Sequence, residues 1–372
     1  MNKIVYSYKK CFIVLKYTKR GADEMFLKRF IVSFLVMFIT IFTFNVSDIH
    51  AAMISTKQEI ELGSKVAQDL EKKHGLVNDQ ELQDRINTIG QRLVLVSERK
   101  DIKYSFKVLD SEEVNALAVP GGFIYVFKGL VDYMPTEEEL AGVLGHEITH
   151  VVKKHSVNQM EKNLWTRALT MLAAVISGNS SVANLAPYLG EAIMAGYSRK
   201  DERQADDIGF QYLIKANYNP YAMYVAMSKL NDLPDKGSYG IFSSHPDSQD
   251  RLRSAKMKAD ALKISQKVVR EGEKYKVVDG TYSFTVGATV DSTKSEYRAY
   301  LLAGGLYNVV KQDKNPDADK FISLSFKNRM DIYYDDIYLY SIYNQDISGD
   351  EESLDDAANA WIHKFRNWAN KR

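Results

Sequence analysis

From residue 56 onward the apolar residues fall mostly at helical spacing. Ile60, Val66, Ala67 and Leu70 give a loose apolar face up to Lys73, as expected of a half-buried helix. Thr56-x-x-Glu59 reads as its capping box and Gly75 as its stop. Asn78 or Asp79 can cap a second helix, carried by Leu82, Ile86, Ile89, Leu93 and Val96. Both helices read as scaffold. Tyr104, Phe106 and Val108 then alternate between Lys103 and Asp110, the period of a strand. Pro120-Gly121-Gly122 marks a turn, and Phe123 to Phe127 forms the next strand. That strand has two readings. It could be a sheet edge that takes an extended peptide through main-chain bonds, with Asn115, Ala116 and Phe123 lining the peptide. It could equally be one arm of an ordinary hairpin.

Thr136 and Glu139 form a second capping box, ahead of a helix whose broad apolar face is Leu140, Val143, Leu144, Ile148, Val151 and Val152. Leu169 to Ile176 (LTMLAAVI) is apolar but too short to span a membrane. Core, a hairpin tip touching lipid, or a flap are the readings open to it. Gly178 to Ser181 is a loop, and a helical pattern resumes near Leu185 until Asn217 to Pro220 stops it. Beyond Leu252 the pattern changes. Lys256 to Lys267 is a polar connector, and Val268 to Val286 holds short strands around Gly280. Glu296 to Lys311 is a helix, Phe321 to Phe326 and the tyrosine-rich Asp331 to Tyr343 are strands, and Asp355 to Trp368 is a closing helix. The tyrosines read as sheet packing ahead of a binding surface. The chain is thus expected to be α+β: a mainly helical domain with a small β-sheet or hairpin, then a small α+β C-terminal domain.

Composition narrows the function classes. The chain has 372 residues, 45% of them hydrophobic, enough for two or three domains. Its 49 basic and 48 acidic residues leave a net charge of +1, so nucleic acid is not an expected partner. Cys11 is the single cysteine. Disulfides within the chain and cysteine zinc knuckles are excluded, and any metal site must use His, Asp or Glu. Residues 30–46 (FIVSFLVMFITIFTFNV) are nearly all apolar, follow Lys28-Arg29 and precede small residues. This is a secretory signal, or, at the short edge of a membrane span, an anchor in the inner membrane. Residues 1–52 are therefore the targeting segment, and Met25 is a natural alternative start that would make residues 1–24 an over-extension.

The candidate chemistry lies in Gly145-His146-Glu147-Ile148-Thr149-His150. Positions i and i+4 share a helix face, so His146 and His150 can point two imidazoles at one zinc ion while Glu147 stands over a coordinated water. His155 falls outside that pair, in a Lys-Lys-His run, and reads as solvated. A catalytic zinc ordinarily takes a third protein ligand. Glu202 is the candidate, with Asp206 one turn on to accept the free ring N–H of a ligating histidine. Ala205, Gly209 and Leu213 on that flank would let the two helices approach closely. Asp201 and Asp207 read as solvated.

Four stretches together carry a resemblance: NALAVPGGFIYVFKGL (115–130), ELAGVLGHEITHVVKKH (139–155), YSRKDERQADDIGFQYL (197–213) and SSHPDSQDRL (243–252). With ELGSKVAQDL and TIGQRL upstream, residues 56–252 resemble the M48 family of metallopeptidases, gluzincins related to the CAAX-prenyl protease Ste24 and to periplasmic proteases of the BepA type. The resemblance implies a zincin catalytic domain over residues 53–255, one zinc ion per chain on His146, His150 and Glu202, and Glu147 as general base. It also implies a place near the metal for His245. Three roles are open to that residue: oxyanion donor, displaceable fourth ligand, or turn cap. Tyr197 is a second oxyanion-donor candidate, and Arg251 is a partner for a carboxylate or a substrate carbonyl.

The expected function is a zinc endopeptidase of the cell envelope, exported to the periplasm or beyond, acting on misfolded or membrane-associated polypeptides in protein quality control. The rival is a zinc-containing envelope chaperone or assembly factor whose site is plugged by His245. No 34-residue helical repeat of the BepA kind is present. Residues 256–372 are thus a C-terminal domain of open role, and a candidate contact for a membrane or envelope-assembly partner.

Overall fold

Helix α1 (Thr56–His74) begins one residue earlier than the capping pattern suggests. Ser55 is its cap, accepting from Gln58 N while the Gln58 side chain returns to Ser55 N. Glu59 is not free to cap because Arg99 draws it inward. The two make a buried, two-pronged ion pair at 2.9 and 2.7 Å, and Glu59 also accepts from Gly121 N at 3.0 Å. A buried carboxylate needs such partners. Helix α2 (Gln80–Leu95) is capped by Asp79 and buries Ile86, Ile89 and Leu93. The structure, a computed structural model, describes residues 54–162, 196–233, 245, 249–290, 292–326, 328–347, 351 and 353–372. The targeting segment, Leu169 to Ile176 and the loop at Gly178 lie outside the described residues, as does the helical pattern from Leu185 to residue 195. Residues 196–198 are not helical, so the pattern read as continuous to Asn217 is corrected to a helix that starts at Arg199, where the Ser198 side chain caps it.

The first sheet has three strands: β1 (Ser105–Leu109), β2 (Ala116–Val119) and β3 (Phe123–Phe127). Their order is β1-β3-β2, with β1 parallel and β2 antiparallel to β3. The Phe123 strand is therefore the centre of the sheet, so the reading of it as an edge is corrected. β2 and β3 do form a hairpin, but β1 takes the other side of β3. The turn uses Gly121 (φ 83) and Gly122 (φ 96). A Cβ on Gly122 would sit 2.4 Å from Lys103 O, so only glycine lets the chain pass there.

After the short α3 (Lys128–Tyr133) come α4 (Glu137–Val152), α5 (Arg199–Lys215), α6 (Ala222–Asn231) and α7 (Gln249–Asp260). Strands β4 (Lys267–Glu271), β5 (Lys274–Asp279) and β6 (Tyr282–Thr285) form one meander. Strands β7 (Phe321–Phe326), β8 (Arg329–Tyr334) and β9 (Ile337–Tyr343) form another. Helix α8 (Ser295–Gln312) packs on β9 and β5, and α9 (Leu354–Asn370) packs on β7 and β8. The chain is mostly helical with small sheets and a C-terminal α+β region. Tyr334, Tyr338, Tyr340 and Tyr343 are buried, as packing residues should be.

Residues Ile54–Arg372 form one compact unit. α7 runs through the expected boundary at residue 255, and one apolar core joins Ile86, Leu144 and Phe210 to Leu302, Tyr340 and Phe365. Polar bonds also cross it. Asn219 donates to Leu301 O at 2.6 Å, and Lys229 donates to Thr293 at 2.9 Å. No described helix is long and apolar enough to cross a membrane.

Candidate metal centre

The centre is built on α4. Its Thr136–Glu139 capping box satisfies the first turn, and every residue from Glu138 to Val151 is buried. A helix buried all round must contact neighbours on every side. Its closest neighbour is α5. A Cβ on Gly209 would lie 2.9 Å from the carbonyl carbon and oxygen of Gly145 and 3.0 Å from His146 N. The two glycines thus let backbone meet backbone. That approach brings Glu202 and Asp206, one turn apart and both buried, under the two histidines.

His146 Nε2 and His150 Nε2 are 3.0 Å apart. The Glu202 carboxylate oxygens stand 3.5 Å from each of them. His245 Nδ1 lies 2.9 Å from Glu202 Oε1 and 3.1 Å from His146 Nε2. The ligand atoms of His146, His150, Glu202 and His245 all lie within 4.8 Å of one another, and all four residues are buried. His146 Nδ1 meets Asp206 Oδ1 at 2.9 Å, so the ring carries its proton on Nδ1 and turns a lone pair inward. Arg251 grips Asp206 at 2.7 and 2.8 Å and reaches Glu202 at 2.5 Å.

The electrostatics follow from crowding. Burial, then the neighbouring His146 and His245, push the His150 pKa well below the usual imidazole value. The ring is therefore neutral, the form that ligates a metal. Burial alone would raise the Asp206 carboxyl, but hydrogen bonds from Arg251 and His146 outweigh it and hold the group well below the carboxylate range. For Glu202 burial is likewise outweighed, chiefly by His245 and His146, and its pKa falls. For His245 burial pulls down, but Glu147 and Glu202 prevail and the net direction is up.

Glu147 is fully buried, and neither carboxylate oxygen has a hydrogen-bond partner among the described residues; Oε1 lies 3.3 Å from His245 Nε2. A buried carboxylate whose one charged contact is an imidazole at 3.3 Å is costly unless something else balances it. Two imidazole lone pairs facing each other beside two carboxylates fit a divalent cation with mixed nitrogen and oxygen ligands, the donor set of zinc.

The remaining candidates fall in different places. Asn115 is buried with no partner on its side-chain oxygen among the described residues, and Ala116 opens β2, which packs against α4. Phe123 packs instead with Ala67, Leu70 and Tyr125 beside α1. Tyr197 stacks on His150 with ring centroids 3.7 Å apart, its hydroxyl 2.8 Å from Ser156 Oγ. Asp207 is exposed and pairs with Lys258 at 2.5 Å, and Asp201 is engaged by Ser198 at 2.6 Å. His155 is the clear correction. It is not solvated but 3% exposed, with Nδ1 2.9 Å from His150 Nδ1 and Nε2 2.8 Å from Gln204 Oε1. α4 ends at Val152, and Lys154 takes φ 54. That left-handed residue swings His155 back under His150. Helical periodicity could not show it, because the helix stops in between.

Residues 80–259 match the profile of Peptidase family M48. The chain is 30% identical over 223 residues to the Beta-barrel assembly-enhancing protease of Escherichia coli, covering 56% of this chain and 45% of that protein. It thus spans less than half the length of that relative. It is 29% identical over 219 residues to Metalloprotease LoiP of Escherichia coli, covering 57% of this chain and 86% of LoiP. It is also 29% identical over 174 residues to Mitochondrial metalloendopeptidase OMA1 of Schizosaccharomyces pombe, covering 45% of this chain and 50% of that protein. With His146 and His150 on one helix, Glu202 on the next and His245 from the chain ahead of α7 converging inside the matched span, residues 80–259 form a domain of peptidase family M48.

Proposed function

We propose that this chain is a zinc endopeptidase in which His146, His150 and Glu202 hold one zinc ion and Glu147 is the general base. When bound, zinc lowers the pKa of a coordinated water toward ~7 and polarises a peptide carbonyl. The chain's own residues do the rest. Glu147 accepts a proton on its carboxylate and passes it to the departing amine. Asp206, fixed by Arg251, keeps the His146 proton on Nδ1 so that Nε2 is free to ligate. The observation that carries this reading is the convergence of four buried ligand residues, their ligand atoms within 4.8 Å of one another, beside the fully buried Glu147 carboxylate. β2, with Asn115 and Ala116 at its start, supports a place for the substrate chain, since it is the sheet edge next to α4.

The substrates proposed are misfolded or membrane-associated polypeptides of the cell envelope, reached after export through residues 30–46. The names of two relatives, a Beta-barrel assembly-enhancing protease and a mitochondrial metalloendopeptidase, support polypeptide substrates and leave the compartment to the signal segment. The test is Glu147→Gln with zinc content measured alongside cleavage of an unfolded protein. Retained zinc with lost cleavage is expected; undiminished cleavage would sink the assignment.

A second reading rests on His245, whose ring sits 2.9 Å from Glu202 and 3.1 Å from His146. As a fourth ligand it would plug the site and leave a zinc-containing chaperone or assembly factor, with residues 256–372 as a contact for an envelope partner. Full function of Glu147→Gln in cells would favour that reading.

A further inference from the structure

The two histidines of α4 are oriented by different chemistry. His146 Nδ1 faces a carboxylate, Asp206 Oδ1, at 2.9 Å. His150 Nδ1 faces another imidazole, His155 Nδ1, at 2.9 Å. His155 is in turn 2.8 Å from the Gln204 side-chain oxygen through Nε2. An amide oxygen can only accept. His155 therefore carries its proton on Nε2 and presents a bare Nδ1. His150 must then be the donor across the 2.9 Å contact, which places its own proton on Nδ1 and its lone pair on Nε2. We infer that His155, held by Gln204, is the positioning residue that fixes the ring orientation and tautomer of His150 for metal binding. The inference rests on the proposed ligand role of His150.

The neutrality of this relay has a physical reason. Glu147, Glu202 and Asp206 already place three carboxylates in the buried centre, and Arg251 is the cation that bonds two of them. A carboxylate at position 155 would add a further buried anion, which is costly without a matching cation. An imidazole backed by an amide orients His150 without that charge. Asp201 does not take over the role, because its Oδ1 is 3.8 Å from His155 Nε2 while its Oδ2 accepts from Ser198 Oγ at 2.6 Å. The stacked Tyr197 ring closes one face of His150, and its hydroxyl is spent on Ser156. The relay thus fixes a ring already confined in its plane.

The experiment is zinc affinity of the full chain by competition with a chromogenic chelator, using zinc itself as the probe. His155→Phe keeps a ring but removes the acceptor, and affinity is expected to fall about 10- to 100-fold. His155→Asn puts an amide oxygen near the place of Nδ1 and is expected to recover most of that loss. Gln204→Leu alters an exposed side chain, should fold, and is expected to weaken zinc in the same direction by less. Affinity unchanged in both His155→Phe and Gln204→Leu overturns the inference. Equal losses in His155→Phe and His155→Asn also overturn it, since packing alone would then explain them. His150→Ala separates the two readings: if it keeps zinc, the ligand assignment itself has failed; if it loses zinc while the relay variants keep it, only the relay has failed.

Discussion

Arg251 holds Asp206 with two nitrogens, Nε at 2.7 Å from Oδ2 and Nη2 at 2.8 Å from Oδ1. The carboxylate is thereby fixed at the distance that orients His146. A lysine cannot reproduce a planar two-pronged contact. Arg251→Lys is therefore expected to lower zinc affinity about 10- to 100-fold, the usual cost of losing a partner that orients a ligand. Chelator competition measures it, and an unaltered affinity would show that Asp206 stays in place unaided.

Gly209 sets the distance between α4 and α5. A methyl there meets Gly145 backbone at 2.9 Å, and a helix backbone cannot yield as a side chain can. Gly209→Ala is expected to cost about 1–3 kcal/mol of stability by overpacking and to weaken zinc by moving Glu202 away. Gly145→Ala, whose nearest contact would be 3.2 Å, should be milder. Thermal unfolding with and without chelator separates the two effects.

Lys229 and Glu139 are both fully buried and paired at 2.8 Å. Breaking such a pair from one side strands the other charge, at about 3–5 kcal/mol. Lys229→Met should therefore be strongly destabilising in urea. The double variant Lys229→Met/Glu139→Gln should lose less than Lys229→Met alone. Additive losses would argue that the pair does not act as a unit.

Glu138 is buried in the first turn of α4, where Asn219 N donates to it at 2.6 Å. Burial raises its pKa from 4.5 to about 8. Between those values the folded state binds more protons than the unfolded one, so stability falls as pH rises through that window. Its contribution is complete below 4.5 and lost as pH passes about 8. Glu138→Gln should remove this loss, so the variant gains on the native chain between about pH 5 and pH 9. Parallel stability curves for the two proteins would contradict the shift.

Much of the fold could be read from local pattern. The spacing of Leu82, Ile86, Ile89 and Leu93 marks α2, and Asp79 and Thr136 cap the helices that follow them, whereas the Ser198 cap lies inside a pattern that reads as one helix from Leu185. The Ser55 cap was legible only once Arg99 was known to claim Glu59, a pairing across 40 residues. The central place of β3 depends on β1 joining it in parallel, and strand alternation does not encode the neighbour. His155 was misread for the same reason: its environment is set by a turn at Lys154 and by α5, not by its charged neighbours in the chain.

By itself the sequence determined the pairs that one helix can make. His146 with His150, and Glu202 with Asp206, follow from a 3.6-residue period that is local and needs no tertiary contact. Tertiary structure decided that the pairs meet. His245 lies 99 residues from His146, and Asp206 lies 60. Asp206 reaches His146 because α4 and α5 touch backbone to backbone at Gly145 and Gly209, whereas His245 comes from neither helix. The same contact sets which groups surround each histidine, Asp206 for one and His155 with Gln204 for the other. Such contacts are chosen by the packing of the whole core, where close approach, burial and charge balance must be satisfied at once.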